Sequence, residues 1–330
     1  MVVKKIRING KLSSIAGVSQ DDPYFMSIGD ECEPEFLSFC HRYVHDDYFC
    51  FDIGANIGVK TLALSSLVSA GRVAAFEPGP TIYSLLCRNL AQNEIANVDS
   101  MNVAIGAHDG IVLFEENSAY GHITESPGGI KMASRSLTSV LAELAYPRLD
   151  FVKIDVEGFE FEILRSSIDV LRDHGSLIYF EFNSFAQIAF DQPSPKKFLE
   201  WIFASFPFVY VINRSPGSST LLSRVQGGDV LHLVHQNMLA HGCVTDFVAT
   251  FDENRLVETL PHMNARLETL LMERDQSRAD LDRVRAKCKS KVVGLKKKIE
   301  SLRAQRDKLS SSKSYRWGRR IRKLIGLSNG

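Results

Sequence analysis

Apolar and polar positions divide the chain into two regimes. Up to about residue 250, short apolar runs alternate with apolar residues at helical spacing. The run Phe49-Cys50-Phe51 reads as a buried strand and stops at Asp52-Ile53. A turn with Gly54, Asn56 and Gly58 follows, and helical periodicity begins near Val59. The same reading predicts strands over 72–77, 98–103, 151–155 and 177–182, with a small extra strand over 111–115. Helices are expected over 59–68, 78–93, 136–144, 159–168 and 195–205, and the sheet would close with a hairpin of strands 208–212 and 230–234. Strands alternating with helices imply an α/β fold with a doubly wound, mostly parallel sheet. Phe36, Phe39, Cys40 and Tyr43 place a short helix ahead of the first strand. Residues 1–22 are polar and read as a flexible N-terminus, and residues 117–136, with Gly121, Pro127, Gly128 and Gly129, as a mobile loop near the site.

The second regime begins near residue 256. Leu260, Leu267, Arg274, Leu281, Cys288, Leu295, Leu302 and Leu309 share one heptad position, and Leu271, Val292 and Ile299 partly fill a second. Over 256–312 this predicts a coiled coil with a polar-interrupted core, and hence a homo-oligomer. A single solvated helix is the plainer alternative. Residues 313–330 form a basic amphipathic tail in which Trp317, Ile321, Leu324 and Ile325 share a helical face. That suits an anionic membrane surface, although a solvated helix or a helix docking on an acidic protein has the same pattern. The basic run carries no recognisable nucleic-acid module, so no nucleic-acid partner is expected.

Composition changes this picture in three places. The formal charge of zero hides an asymmetry: from Leu256 onward there are 20 Lys and Arg against 8 Asp and Glu, so an acidic body carries a basic tail. The six cysteines form no C-x-x-C pair and several sit inside apolar runs, as reduced core thiols do. No apolar run approaches the length of a membrane span, and the basic start lacks the apolar core of a signal peptide. The expected location is cytoplasmic, with peripheral contact at the inner membrane surface open.

The candidate chemistry starts at Asp52. Its turn has the spacing G-x-N-x-G, without the extra glycine that lets a pyrophosphate approach in G-x-G-x-x-G loops. About 25 residues on, the next strand ends at Glu77, close to the distance at which a ribose-binding carboxylate follows such a loop. A nucleoside cofactor without a pyrophosphate fits both, and S-adenosylmethionine is one. An ordinary turn glycine and an ordinary strand-end acid would give either motif alone.

Three strings carry a resemblance: Phe51-Asp52-Ile53-Gly54-Ala55-Asn56-Ile57-Gly58, Ala75-Phe76-Glu77-Pro78-Gly79-Pro80, and Phe151-Val152-Lys153-Ile154-Asp155-Val156-Glu157-Gly158. From about residue 23 to 236 the chain resembles the FkbM family of S-adenosylmethionine-dependent methyltransferases. The resemblance implies a Rossmann-like class I methyltransferase fold over 23–250 and O-methylation of a sugar or natural-product hydroxyl. It implies cofactor contacts at Asp52, Gly54, Asn56, Gly58 and Glu77, with Ala104 and Ile105 lining the adenine. The Glu33-Pro34-Glu35 element resembles the family's lid, although Glu33 at a helix start also suits the helix dipole. The tail resembles those of bacterial surface-glycan enzymes, which favours a sugar in a glycan or glycolipid precursor as acceptor. A polyketide-type acceptor and a non-catalytic scaffold of a glycan-assembly complex are the alternatives.

A hydroxyl is a poor nucleophile, so a base or a metal should assist it. Asp155, Glu157 and Glu181 lie at strand carboxyl ends and are the catalytic candidates. In one arrangement Asp155 or Glu157 is the base. In another Asp155, Glu181 and Asn183 hold Mg²⁺, an ion that takes oxygen ligands. A third leaves Glu157 as a helix cap paired with Lys153. His122, in the Gly-rich stretch, is an outside candidate for the base.

Overall fold

Alternation along the first residues produces an element that composition conceals. The computed structural model describes residues 2–31, 33–117, 121–190, 192–213, 221–256, 260–311 and 313–324. Strands β1 (Val2–Ile8) and β2 (Lys11–Gly17) form an antiparallel hairpin. Asn9 and Gly10 turn it with φ of 49° and 76°, the conformation an Asn-Gly turn favours. Ile6, Ile8, Ile15 and Ala16 are buried beneath it. Buried Asn89 fixes the hairpin to the body: its Oδ1 accepts from Ala16 N–H at 2.7 Å and its Nδ2 donates to Ala16 O at 3.0 Å. The N-terminus is therefore an ordered part of the body, which corrects the expectation of a flexible segment.

Helices α1 (Pro23–Ser27) and α2 (Pro34–Tyr43) lead into β3 (Phe49–Ile53). Then α3 (Val59–Leu67), β4 (Arg72–Phe76), α4 (Pro80–Gln92) and β5 (Val98–Met101) alternate as the periodicity predicts. Strands β6 (Ala104–Gly106), β7 (Gly110–Glu115), β8 (His122–Ile123) and β9 (Ile130–Ser136) build a small separate sheet in the order β6-β9-β7-β8. Much of the stretch read as a loop is thus strand. Helix α5 (Leu137–Leu144), β10 (Phe151–Ile154), α6 (Glu160–Asp173) and β11 (Leu177–Asn183) continue the alternation. A helix that was not expected, α7 (Ser184–Ala189), starts where Asn183 Oδ1 accepts from Ala186 N–H at 3.0 Å. Helix α8 (Pro195–Ser205), β12 (Phe208–Ile212), β13 (Leu222–Arg224), α9 (Val230–Ala240) and β14 (Val244–Thr250) complete the body.

The expected strand over 230–234 is the start of α9. Val230, Leu233 and Asn237 are buried at helical spacing while Leu231 is exposed, and β14 closes the sheet instead. The main sheet runs β13-β12-β14-β11-β10-β3-β4-β5. Strands β5, β4, β3, β10 and β11 are parallel, and β14 lies antiparallel between β11 and β12. Sequence order reverses between β3 and β10, the place where open α/β sheets bind ligands. One core forms under α2, α3 and α4 and a second under α5, α6 and α8, so both faces are covered as a doubly wound sheet requires. This is the α/β fold expected of a Rossmann-like, class I methyltransferase.

The chain divides into two compact units, Met1–Thr259 and Leu260–Gly330. The second contains α10 (Leu260–Ser311), 52 residues long, and α11 (Lys313–Leu324). Along α10, Leu281, Leu295, Leu302, Leu309, Val292 and Ile299 are about half exposed or more. The side chains of Leu260, Leu267 and Leu271, and residues Ile325–Leu327, lie outside the described residues. So does Cys32, whereas Cys50, Cys87, Cys243 and Cys288 are free thiols. Among the described residues no helix is long and apolar enough to cross a membrane.

Candidate active site at the strand carboxyl ends

The turn after β3 uses its own amides. Gly54 and Ala55 N–H both donate to Phe76 O, at 3.0 and 2.9 Å. Asn56 N–H donates to Glu77 Oε2 at 2.9 Å, Ile57 N–H to Asn56 Oδ1 at 2.7 Å, and Gly58 N–H to Ala55 O at 2.9 Å. Five successive amides are therefore occupied, and this loop offers no cradle of free N–H groups to a phosphate. Gly54 has φ of 74°, and a Cβ there would fall 1.8 Å from the backbone oxygen of Asp155. The glycine is what lets the ends of β3 and β10 close together.

The loop and its neighbours wall a cavity of about 290 Å³. Gly54, Asn56, Glu77, Ala104, Ile105, Asp155, Glu157 and Glu181 all line it, so eight of the ten expected site residues come together. Asp52 and Gly58 do not line it. Asp52 is fully buried, accepts from Thr61 Oγ1 at 2.6 Å and pairs with Lys153 Nζ at 3.0 Å. Gly58 opens α3 with φ of 92°, and a Cβ there would meet Leu86 Cδ1 at 2.6 Å, so backbone geometry explains it.

Glu77 sits at the end of β4 with Oε1 accepting from Gly79 N–H at 2.9 Å. Burial pushes its carboxyl up to about 7, against the pull of the two amides. Phe76, Val103, Ala104 and Ile105 form an apolar wall beside it.

Across the cavity the charges are dense. Asp155 Oδ2 lies 3.1 Å from Lys60 Nζ and 3.5 Å from Lys153 Nζ. Burial opposes its ionisation, but the two ammonium groups outweigh burial and hold Asp155 well below the usual carboxylate range. Such a carboxylate is a weak proton acceptor near neutrality. Lys60 also pairs with Glu33 at 3.1 Å, which ties the expected lid element to α3.

Glu157 and Glu181 behave in the opposite way. Burial, then the charges of Asp155 and Glu160, pushes Glu157 up to about 8. Burial, with Asp155 and Glu157 nearby, raises Glu181 well above its ordinary value. Glu157 has φ of 54°, in the left-handed region that a bulky residue rarely adopts. Glu160 sustains that turn: its Oε1 accepts from Val156 N–H at 3.0 Å and Gly158 N–H at 3.1 Å. The start of α6, with Phe159 before it, carries no side-chain cap, so Glu157 does not cap it, and Lys153 pairs with Asp52 and Asp155 rather than with Glu157. Both differences free Glu157 to face the cavity.

The Mg²⁺ arrangement does not fit. Asp155 already faces two ammonium groups, which would repel a cation, and Asn183 Oδ1 caps α7. Among the described residues no group of three or more His, Cys, Asp and Glu is arranged to hold a metal ion. His122 lines the cavity with its ring stacked on Phe190, centroids 4.0 Å apart, and its Nδ1 is buried without a hydrogen-bond partner. Lys60 was missed as a site residue. Its only local signal is its place in the first turn of α3, and its partners lie far away in sequence.

S-adenosylmethionine has a ribose, a flat base, a cationic sulfur and no phosphate. The cavity presents a buried carboxylate beside an apolar wall, four acids (Glu33, Asp155, Glu157, Glu181) against two lysines, and no free amide cradle. These features fit that cofactor and disfavour a phosphorylated one.

Comparison with known proteins finds similarity to methyltransferases. Residues 52–210 match the family model described as the methyltransferase FkbM domain. Methyltransferase sdnD of Sordaria araneosa is 28% identical over 167 residues, covering 39% of this chain and 63% of that protein. The hexuronic acid methyltransferase AglP of Haloferax volcanii is 27% identical over 143 residues, covering 42% of this chain and 58% of that protein. The chain thus spans about three fifths of the length of these curated relatives. A crystal structure of methyltransferase FkbM from Methylobacillus flagellatus aligns with a TM-score of 0.38 and 14% identity, covering 66% of this chain and 50% of that one. Residues 52–210 of this chain are therefore similar to a methyltransferase FkbM domain.

Proposed function

We propose that the protein is an S-adenosylmethionine-dependent O-methyltransferase whose acceptor is a sugar hydroxyl. The observation that carries the cofactor is the Glu77 carboxylate, buried at the edge of a cavity whose turn has spent its own amides. The bound cofactor would supply a methyl group on a cationic sulfur. Glu77 keeps a free lone pair on each oxygen for the ribose hydroxyls, and the wall of Phe76, Val103, Ala104 and Ile105 covers the base. Glu33, Asp155 and Glu181 favour the positive charges. Glu157 accepts the proton of the acceptor hydroxyl as the carbon–oxygen bond forms, and Asp155 fixes Lys60 and Lys153 so that neither ammonium neutralises Glu157.

A sugar is favoured because one matched relative carries hexuronic acid methyltransferase as its name. The test is transfer of labelled methyl from S-adenosylmethionine to a panel of glycosides, with polyphenol and polyketide acceptors as controls. Turnover of glycosides alone supports the reading, and turnover confined to the controls overturns it.

We also propose that α10 self-associates through the seam of Leu281, Leu295, Leu302 and Leu309 with Val292 and Ile299, because these apolar side chains stay exposed at heptad spacing. Light scattering should give a multiple of the 36.9 kDa chain mass, falling to a monomer when residues after about 255 are removed. A monomeric full-length chain would contradict self-association.

A further inference from the structure

The methyltransferase reading leaves α11 unused. This helix, Lys313–Leu324, carries six basic residues and no acidic one. Trp317, Ile321 and Leu324 recur at i, i+4 and i+7, so they share one face, and all three are exposed. Lys313, Arg320 and Arg316 border one side of that face, while Arg319, Arg322 and Lys323 lie away from it.

We propose that α11 is a surface anchor for membranes rich in anionic lipid, lying in the plane of the headgroups with Trp317, Ile321 and Leu324 directed inward. Two properties of the helix select this partner. A protein groove taking the same face would need acidic side chains placed in register with six cations along about 18 Å of helix. A sheet of anionic headgroups neutralises them with no register at all. The apolar face is also suited to an interface. Trp is the residue whose ring is both apolar and able to donate a hydrogen bond, and it concentrates at headgroup depth. Arginines at the side of the stripe can lay their stems along the hydrocarbon boundary and keep their guanidinium groups among the phosphates. Twelve residues with this charge cannot span a bilayer, so the contact is peripheral and reversible. Anchoring would hold the catalytic unit where acceptors on lipid carriers are found, though the anchor does not depend on what the unit methylates.

The experiment is flotation of the full-length protein with vesicles in a sucrose gradient at about 0.15 M salt. One vesicle is phosphatidylcholine alone, and the other contains about one third phosphatidylglycerol. The chain should float with the anionic vesicles and remain at the bottom with the neutral ones. Ile321→Glu and the pair Arg319→Glu with Arg320→Glu should each lower the bound fraction at least tenfold, with S-adenosylhomocysteine affinity unchanged. These positions are exposed on a helix outside the methyltransferase unit, so the variants fold. Failure of the wild type to float, equal flotation on neutral vesicles, or undiminished flotation of both variants would overturn the anchor. Retention at the bottom together with binding of RNA or of an acidic protein would do the same. None of these results bears on cofactor binding, which is read separately.

Discussion

Replacing Gly54 by alanine should remove cofactor binding and cost several kcal/mol of stability. The added methyl would fall 1.8 Å from Asp155 O and 2.9 Å from its carbonyl carbon. Both are backbone atoms of the strand end next door, so no side chain can swing away. The φ of 74° adds strain of about 1–2 kcal/mol for any residue with a Cβ. Overpacking of a filled interior adds about 1–3 kcal/mol more. Relief requires β3 and β10 to part, and that separates Glu77 and Asn56 from Asp155 and Glu157. Thermal unfolding and S-adenosylhomocysteine titration of Gly54→Ala check this. An unchanged melting temperature with unchanged affinity would show that the turn is not packed as described.

Glu157→Gln should leave cofactor binding within a few fold and lower turnover by about 10²–10⁴, the range over which a positioned base contributes. The substitution keeps shape and hydrogen-bonding capacity and removes the carboxylate. The pH profile separates this role from a structural one. A carboxyl raised to about 8 is protonated at lower pH and becomes a base as pH rises through that value. Wild-type turnover should therefore climb through pH 8 and level off above it, and a cation bound beside Glu157 moves the limb downward. The variant should show low turnover without that limb. A Glu157→Gln enzyme with full turnover and the same limb would transfer the role to Glu181 or His122.

How much of this site the sequence carried depends on the range of each interaction. The turn after β3 and the acid ending β4 were legible because each is spelled within a few residues: an apolar run, an acid, a glycine. The surroundings of Asp52 were beyond that local reading. Its strand was right, but its side chain points at Lys153 and Thr61, partners that no pattern around position 52 announces. Lys60 escaped for the same reason, since Glu33 and Asp155 lie in other elements. That Glu157 is not a helix cap could not be read from its place just ahead of an apolar-periodic stretch. The left-handed turn at Glu157 and Gly158 decides it. The N-terminal hairpin was within reach, because Asn9-Gly10 stands between two alternating stretches. Its polar outer face masked it. In α9, Val230-Leu231-His232-Leu233-Val234 satisfies both a strand and a helix period, and only burial at Leu233 and Asn237 separates them.

The central claim is that Glu77 makes this cavity a site for S-adenosylmethionine. Calorimetric titration of the full-length protein with S-adenosylhomocysteine, repeated on Glu77→Ala, tests it most directly. The account predicts micromolar binding by the wild type and a loss of at least about a hundredfold in the variant, since both ribose hydroxyls lose their acceptor. No binding by the wild type, or equal binding by the variant, would contradict it.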